Sequence, residues 1–400
     1  MPEPAQKQVG GRETLVFGPA PSWRLGRSLG IDLAPLKTCN WNCVYCQLGR
    51  TRPVQARRRS QPRAADVLSH LDGALTRLPG ESFDWVTILG SGDPLLCSQL
   101  AEVIRGVEDR ADKPLALLTN GALFMDPDVR RDVLECDVVL PSLSAGTPQL
   151  YKAVHRPHPA FSFRRHLDGL RELRREFAGP IWIEVMLVSG LNDSESHLTT
   201  LARRLRAIEP DEIHLNAPTR PPAEPWVRPP GPSTLARAAD ILSEVAPVRS
   251  PPEPGDKGRA TRARKEGEEA VSGRSGTAGL LSPEGLASLL LRHPMTLEEL
   301  VEAIGFTEEA VEEVKESLDA LRREGRVSTV RRLGRTFWVP GRAFFPSEGA
   351  RPPWVLRHRV ADLPGRPPPP THSPGEREAG GRTSSRDPQT RGRSGEATDE

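Results

Sequence analysis

Six times between Ser28 and Ala246 a short apolar run is followed by an amphipathic segment, and this repetition constrains the fold more than any other feature of the chain. The runs are SLGIDL, DWVTILG, PLALLTNG, CDVVLPSL, IWIEVMLV and EIHLNA, each of a length that suits a strand buried on both faces. The segments that follow them include AADVLSHLDGALTRL, where Val67, Leu68, Leu71, Leu75 and Leu78 share one helical face. Strand–helix units in series call for a parallel sheet with helices outside, doubly wound or curled into a barrel. Six units are fewer than a complete TIM-type barrel uses, so the expected α/β fold is a partial (βα)6 barrel.

The remaining chain reads differently. With 41 prolines and 35 glycines among 400 residues, packed structure cannot run from end to end. Residues 249–280 hold too few apolar groups to fold and read as a disordered linker. Beyond it, Ser282-Pro283 offers a cap with proline at the first helical position, and Thr296 with Glu299 makes a capping box before Leu300, Val301 and Ile304. A third helix after Thr307 puts Val311, Val314, Leu318 and Leu321 inward, and RVSTVRRLGRTFWVPG reads as two strands around Leu333-Gly334. Three helices and a hairpin give a small winged-helix-like α+β domain at 281–345, after a core at 28–248 and an N-terminal extension at 1–27. The tail, 346–400, is expected to be disordered.

A net charge of +2 declares neither a nucleic-acid nor a membrane partner. The first residues lack the apolar centre of a signal peptide, and no run of about 18 apolar residues occurs elsewhere. No membrane partner is expected, and the location expected is the cytoplasm, where thiols stay reduced.

Three of the five cysteines fall within KTCNWNCVYCQLG, residues 37–49. Cys39, Cys43 and Cys46 sit at i, i+4 and i+7, which also suits three small residues on one helix face. A helix would separate Cys39 from Cys46 by about 10 Å along its axis, too far for one compact metal cluster. A loop would bring them closer, and Asn40 and Asn42 favour turns. Zinc asks for a fourth ligand, with no Cys or His nearby in sequence to supply it. An iron–sulfur cubane held by three thiolates instead leaves one iron open to a small molecule. Buried structural thiols, zinc and an iron–sulfur cluster all remain open on spacing alone.

CNWNCVYC resembles the C-x3-C-x2-C motif of the radical S-adenosylmethionine (SAM) superfamily, with aromatic Tyr45 before the last cysteine. The resemblance implies one [4Fe–4S] cluster on Cys39, Cys43 and Cys46, with SAM chelating the open iron. Gly92-Asp93-Pro94 is similar to that family's "GEP" motif, which binds the SAM amino group through its backbone, with Asp in place of Glu. Asn120 and Ser142 stand where the family contacts ribose and carboxylate, and the stretch Val188 to Asn192 where it approaches adenine. VFGPAPSWRLGRSLGIDLAPLKTCNWNCVYCQLGRT, LPSLSAGT, LVSGLND and LNAPTRPPAE narrow the resemblance to wyosine-synthase-like proteins over about residues 14 to 230. Wyosine synthases act on transfer RNA, and the resemblance implies a second cluster on three further cysteines near the N-terminus. This chain has none before Cys39, and Cys97 and Cys136 fall at opposite ends of the expected barrel, so neither that cluster nor the wyosine reaction is expected. No flavodoxin-like domain is present, so electrons would come from an external donor of flavodoxin or ferredoxin type.

RTRPVQARRR places Arg50, Arg52, Arg57, Arg58 and Arg59 beside the expected mouth, with Arg24 and Arg27 upstream, a patch able to grip the phosphates of an RNA substrate or to lie in solvent as a surface loop. The turn His155-Arg156-Pro157-His158 offers either substrate contacts or loop structure. Glu308, Glu309, Glu312, Glu313 and Glu316 crowd the helix that would read DNA, which opposes DNA binding, while Arg326, Arg331, Arg332 and Arg335 lie on the wing. Two functions follow: a radical SAM enzyme acting on RNA or another macromolecule, and an iron–sulfur redox sensor that regulates through its winged helix.

Overall fold

The computed structural model describes residues 15–78, 81–251, 283–304 and 308–341, all within one compact unit, Met1–Val360. Nearly all of the expected linker and the whole of the expected tail lie outside the described residues.

The six apolar runs are strands: β2 (Gly26–Asp32), β3 (Trp85–Leu89), β4 (Leu115–Thr119), β5 (Val138–Pro141), β6 (Trp182–Met186) and β7 (Glu212–Asn216), with β1 (Val16–Ser22) before them. From β2 to β5 neighbours pair in parallel, with Leu29 opposite Val86, Val86 opposite Leu115, and Ala116 opposite Val138. β6 pairs in parallel with β7, and β7 with the two-residue β8 (Val248–Arg249). Bridges at Val139–Ile181 and Ser142–Glu184 bring β5 alongside β6. The order in space follows the order in sequence, as right-handed strand–helix–strand crossovers produce.

Both faces of these strands are apolar because both are covered. Val86, Ile88, Leu115, Leu117, Ile183 and Val185 are fully or almost fully buried in one core. The helices α1 (Ala64–Arg77), α2 (Leu100–Glu108), α3 (Pro127–Arg131), α4 (Pro148–His155), α5 (Phe163–Glu176), α6 (Glu195–Arg206) and α7 (Pro232–Ser243) contribute Val67, Val103, Val129, Leu150, Leu170, Leu201 and Leu242 to it in turn. Each such side chain is worth about 1.5–3 kcal/mol relative to exposure. Polar residues start several helices: Ser162 and Ser194 accept N–H bonds at the heads of α5 and α6.

The segment expected to be an N-terminal extension contains β1, which pairs antiparallel with β2. Phe17 of β1 lies across Gly30, where an added Cβ would stand 2.3 Å from the ring. It reaches a second apolar cluster with Leu286, Leu289, Leu290, Leu300, Val314, Leu318 and Leu321. Those residues belong to α8 (Pro283–Arg292), α9 (Leu297–Ile304) and α10 (Glu308–Arg323), which are followed by a hairpin of β9 (Val327–Arg332) and β10 (Arg335–Pro340). The predicted capping box is present: Glu299 N donates to Thr296 Oγ1 at 3.3 Å, and Thr296 N to Glu299 Oε2 at 3.2 Å. Leu333 and Gly334 turn the hairpin with φ of 48° and 78°, the pair of positive angles that two-residue hairpin turns use.

Candidate functional site

Residues 33–63, between β2 and α1, form a long loop across the C-terminal ends of the strands. Cys39, Cys43 and Cys46 lie on turns and irregular backbone there, not on a helix, which removes the helix-face reading. All three are free thiols, partly exposed.

Backbone contacts hold this loop from three sides. At the end of β3, Lys37 N donates to Ser91 O at 2.7 Å and Asp93 N to Thr38 O at 2.9 Å. The approach is so close that a Cβ on Gly92 would fall 1.7 Å from Thr38 O, so only glycine fits. On the second side, Asn42 N donates to His155 O at 3.0 Å and Val44 N to Val154 O at 2.9 Å, while His158 N donates to Asn40 O at 2.9 Å and Trp41 bridges Pro157. The His155–His158 turn is thus a clasp on the cysteine loop. On the third, Glu224 N donates to Val44 O at 3.0 Å, and the Glu224 carboxylate, 1% exposed, pairs with Arg50 at 2.7 Å and with Arg156.

The sulfurs have polar neighbours. Cys39 Sγ accepts from Trp41 N at 3.4 Å and Asn120 Nδ2 at 3.6 Å, Cys43 Sγ faces His155 Nδ1 at 3.5 Å, and Cys46 Sγ accepts from Lys37 Nζ at 3.1 Å. Tyr45 Oη lies 3.4 Å from the same His155 nitrogen, its ring edge-on to the imidazole. Burial, then the His166 imidazole, hold His155 well below its usual range, so it stays neutral.

Asp93 is 1% exposed, and its carboxylate accepts from Thr119 Oγ1 at 3.0 Å, Asn120 N at 2.8 Å and Leu95 N at 3.1 Å. Burial nonetheless raises its pKa to about 6. The side chain ties the end of β3 to the end of β4 and aims Asn120 at Cys39. Pro94 opens the short 3-10 turn that Asp93 caps.

Two residues expected to contact SAM also hold the strand ends together. Both amide protons of Asn192 are taken, by Ser144 O at 2.8 Å and Met186 O at 2.9 Å, and its oxygen accepts from Val188 N at 2.7 Å. Val188 is fully buried and packs in a cluster with Val44 of the cysteine loop. The Ser142 carbonyl accepts from His166 Nε2 at 3.1 Å at the seam between β5 and β6.

Other residues carry weight the sequence reading missed. Glu184, flanked by Ile183 and Val185 in IWIEVMLV, pairs with Arg24 and accepts from Asn216 Nδ2 at 3.2 Å at the end of β7. Its place among apolar residues was the available signal. Lys37 stood beside the cysteines without any pattern to mark it.

The basic patch is partly consumed internally. Arg50 is bound to Glu224, and Arg58 donates to Leu95 O, Cys97 O and Asp132. Arg24 and Arg27 pair with Glu184 and Asp84. Arg52 and Arg57 remain exposed. On the hairpin, Arg332 donates to Val227 O, Arg335 to Glu299 and Thr296, and Arg326 pairs with Glu284, which spends most of the wing's charge within the chain.

The three thiols suit a metal cluster. Burial first, then the Asp93 carboxylate, push Cys39 up to about 12, and burial with the other thiols pushes Cys43 well above the ordinary range. Such thiols ionise when a cation takes their charge, which a coordinated metal does outright. Among the described residues no three His, Cys, Asp or Glu converge on a single ion. Thiolates that each take a separate iron of a cubane do not need to converge in that way. Cys97 and Cys136 are buried, Cys97 after the β3 turn and Cys136 just before β5.

Comparison with known proteins agrees with this chemistry. Residues 33–202 match the family model described as the radical SAM superfamily, and the protein is a radical SAM enzyme that works with a [4Fe–4S] cluster and SAM. The UPF0026 protein of Methanocaldococcus jannaschii is 32% identical over 232 residues, 58% of this chain and 72% of that one. The chain therefore belongs to the UPF0026 family of radical SAM proteins. The GTPase Obg of Brachyspira hyodysenteriae is 38% identical over 205 residues, 51% of this chain but only 30% of that protein, so its GTPase name says nothing of the matched stretch. A solved structure of TYW1 with a lysine-pyruvate adduct bound aligns over 56% of this chain and 76% of its own, at 17% identity and a TM-score of 0.41. Among the described residues no helix is long and apolar enough to cross a membrane.

Proposed function

We propose that this protein is a hydrogen-abstracting radical SAM enzyme whose cluster is held by Cys39, Cys43 and Cys46 and whose substrate is RNA, transfer RNA being the nearest class by resemblance. The observation that carries the reading is a loop of three free thiols held against the C-terminal strand ends by the Gly92 contact and the His155–His158 clasp. The strands and their outer helices are read as a partial (βα)6 barrel, and α8 to β10 as a winged-helix-like unit against it.

Held on Cys39, Cys43 and Cys46, a [4Fe–4S] cluster with SAM would supply one-electron, hydrogen-abstracting radical chemistry. The chain's own residues position these partners. Gly92 and Pro94 present backbone where the SAM amino group would lie, Asn120 stands beside Cys39, and Tyr45 borders Cys43. Glu184, with Arg24 and Asn216, gives the interior of the mouth a fixed polar group. Arg52 and Arg57 offer phosphate contacts at the rim. The electron comes from an external flavodoxin or ferredoxin. The test is direct: the full chain is reconstituted with iron and sulfide, reduced with dithionite and given SAM. Formation of 5′-deoxyadenosine is expected, and its absence with an intact cluster spectrum would refute the reading.

A further inference from the structure

Each sulfur of the candidate ligand set has its own polar neighbour. Trp41 N and Asn120 Nδ2 donate to Cys39, His155 Nδ1 faces Cys43, and Lys37 Nζ donates to Cys46 at 3.1 Å. These groups come from the loop itself, the end of β4 and the end of α4, so three elements converge on the sulfurs. Among them only Lys37 brings a charge.

Lys37 is held in place at both ends. Its ammonium also donates to Gly49 O at 2.6 Å, and its backbone N–H donates to Ser91 O at 2.7 Å. Its φ is +64°, a left-handed conformation that non-glycine residues rarely adopt. Two anchors and a strained backbone fix a side chain that on a surface would swing freely.

We propose that Lys37 sets the reduction potential of the cluster held by Cys39, Cys43 and Cys46, making it easier to reduce. The inference rests on the ligand set given above and goes beyond it. Reduction adds one electron, supplied by an external one-electron donor, and breaks no bond at the sulfurs. The added negative charge spreads over the cluster and its thiolates, so a fixed cation at Cys46 stabilises the reduced form more than the oxidised one. Hydrogen bonds and charge at the ligand sulfurs are the levers by which proteins tune such clusters. The neutral donors on Cys39, Trp41 N and Asn120 Nδ2, act in the same direction and more weakly.

The test compares the full chain with its Lys37→Arg, Lys37→Gln and Lys37→Met variants, reconstituted anaerobically and assayed for iron before any titration. Midpoint potentials are then read by electron paramagnetic resonance in the absence of SAM. Lys37→Met is expected to be at least tenfold harder to reduce, a downward shift of about 59 mV or more for one electron. Lys37→Gln should fall between, and Lys37→Arg closest to the parent. Equal potentials across the series overturn the proposal. If Lys37→Met takes up no cluster, the Arg and Gln variants decide, and equal potentials for that pair overturn it equally. A full cluster retained in Cys46→Ala would instead overturn the ligand set, so the two failures are separable.

Discussion

Arg292 Nε stands 2.8 Å from Asp32 Oδ2, with the two side chains 3% and 4% exposed. The pair joins the end of α8 to the end of β2, the strand from which the cysteine loop departs. Asp32 also accepts from Ser91 Oγ at 2.6 Å and Ser91 N at 2.8 Å, and the Arg292 carbonyl accepts from Gln47, the residue after Cys46. The end of α8 therefore meets β2 through a buried ion pair, and meets the cysteine loop through the Gln47 amide, which also lies 3.5 Å from His293 Nδ1.

Removing one member of a buried pair strands the other. Arg292→Met is expected to cost about 3 kcal/mol, read as a lower urea midpoint for the apoprotein. Asp32→Asn with Arg292→Met should cost less than the sum of the two single changes. Strict additivity would show that the pair does not couple.

Gly92→Ala should leave secondary structure by circular dichroism close to the parent but abolish full iron loading, because the methyl group must displace Thr38 and the loop with it. Gly190→Ala is the control. Gly190 has φ of +69° and open space around it, so that change should cost about 1 kcal/mol with iron content unchanged.

Asp93 predicts a pH dependence of the apoprotein. Its folded pKa is raised to about 6 from 3.8, so between those values the folded state binds more protons than the unfolded one. Stability should therefore fall as pH rises from about 4 to about 6 and level off above, by roughly 2–3 kcal/mol for this group. Asp93→Asn should flatten that slope. An unchanged slope in the variant would assign the dependence to other groups.

The cysteines should separate into two sets. Cys39→Ala, Cys43→Ala and Cys46→Ala are each expected to lose the [4Fe–4S] absorption and its iron. Cys97→Ala and Cys136→Ala should keep both, at a stability cost of about 1–3 kcal/mol for the cavity left behind.

If RNA is the substrate, Arg52→Ala with Arg57→Ala should weaken binding and reduce the salt dependence of log affinity by about 1.4 for two lost phosphate contacts. Arg50→Ala should act chiefly on stability, because its partner Glu224 is buried. Filter binding at several salt concentrations distinguishes these outcomes.

Local signals were legible and distant ones were not. IWIEVMLV reads as a buried strand because run length and apolar composition are local, and Thr296 with Glu299 reads as a capping box for the same reason. The spacing singled out Cys39, Cys43 and Cys46, and Asn40 and Asn42 signalled the loop on which they lie. Nothing near Phe17 shows that its ring completes an apolar cluster with Leu286 and Leu318. Nor does PPAEPW disclose that Glu224 neutralises Arg50 and Arg156, which left the basic patch looking freer than it is. Asn192 was placed in its loop, but motif position does not reveal that its amide protons are taken by Ser144 O and Met186 O.

Phe17 has a consequence for how the chain is made. Phe17 and Leu286 are 269 positions apart, so at roughly 5–20 residues per second the ring waits from about a quarter of a minute to about a minute on the ribosome for its partners. During that interval Gln47 has no α8 to rest on, and the cysteine loop is uncovered on that side. The contact between Gln47 and the end of α8 is thus among the late ones to form as the chain is made.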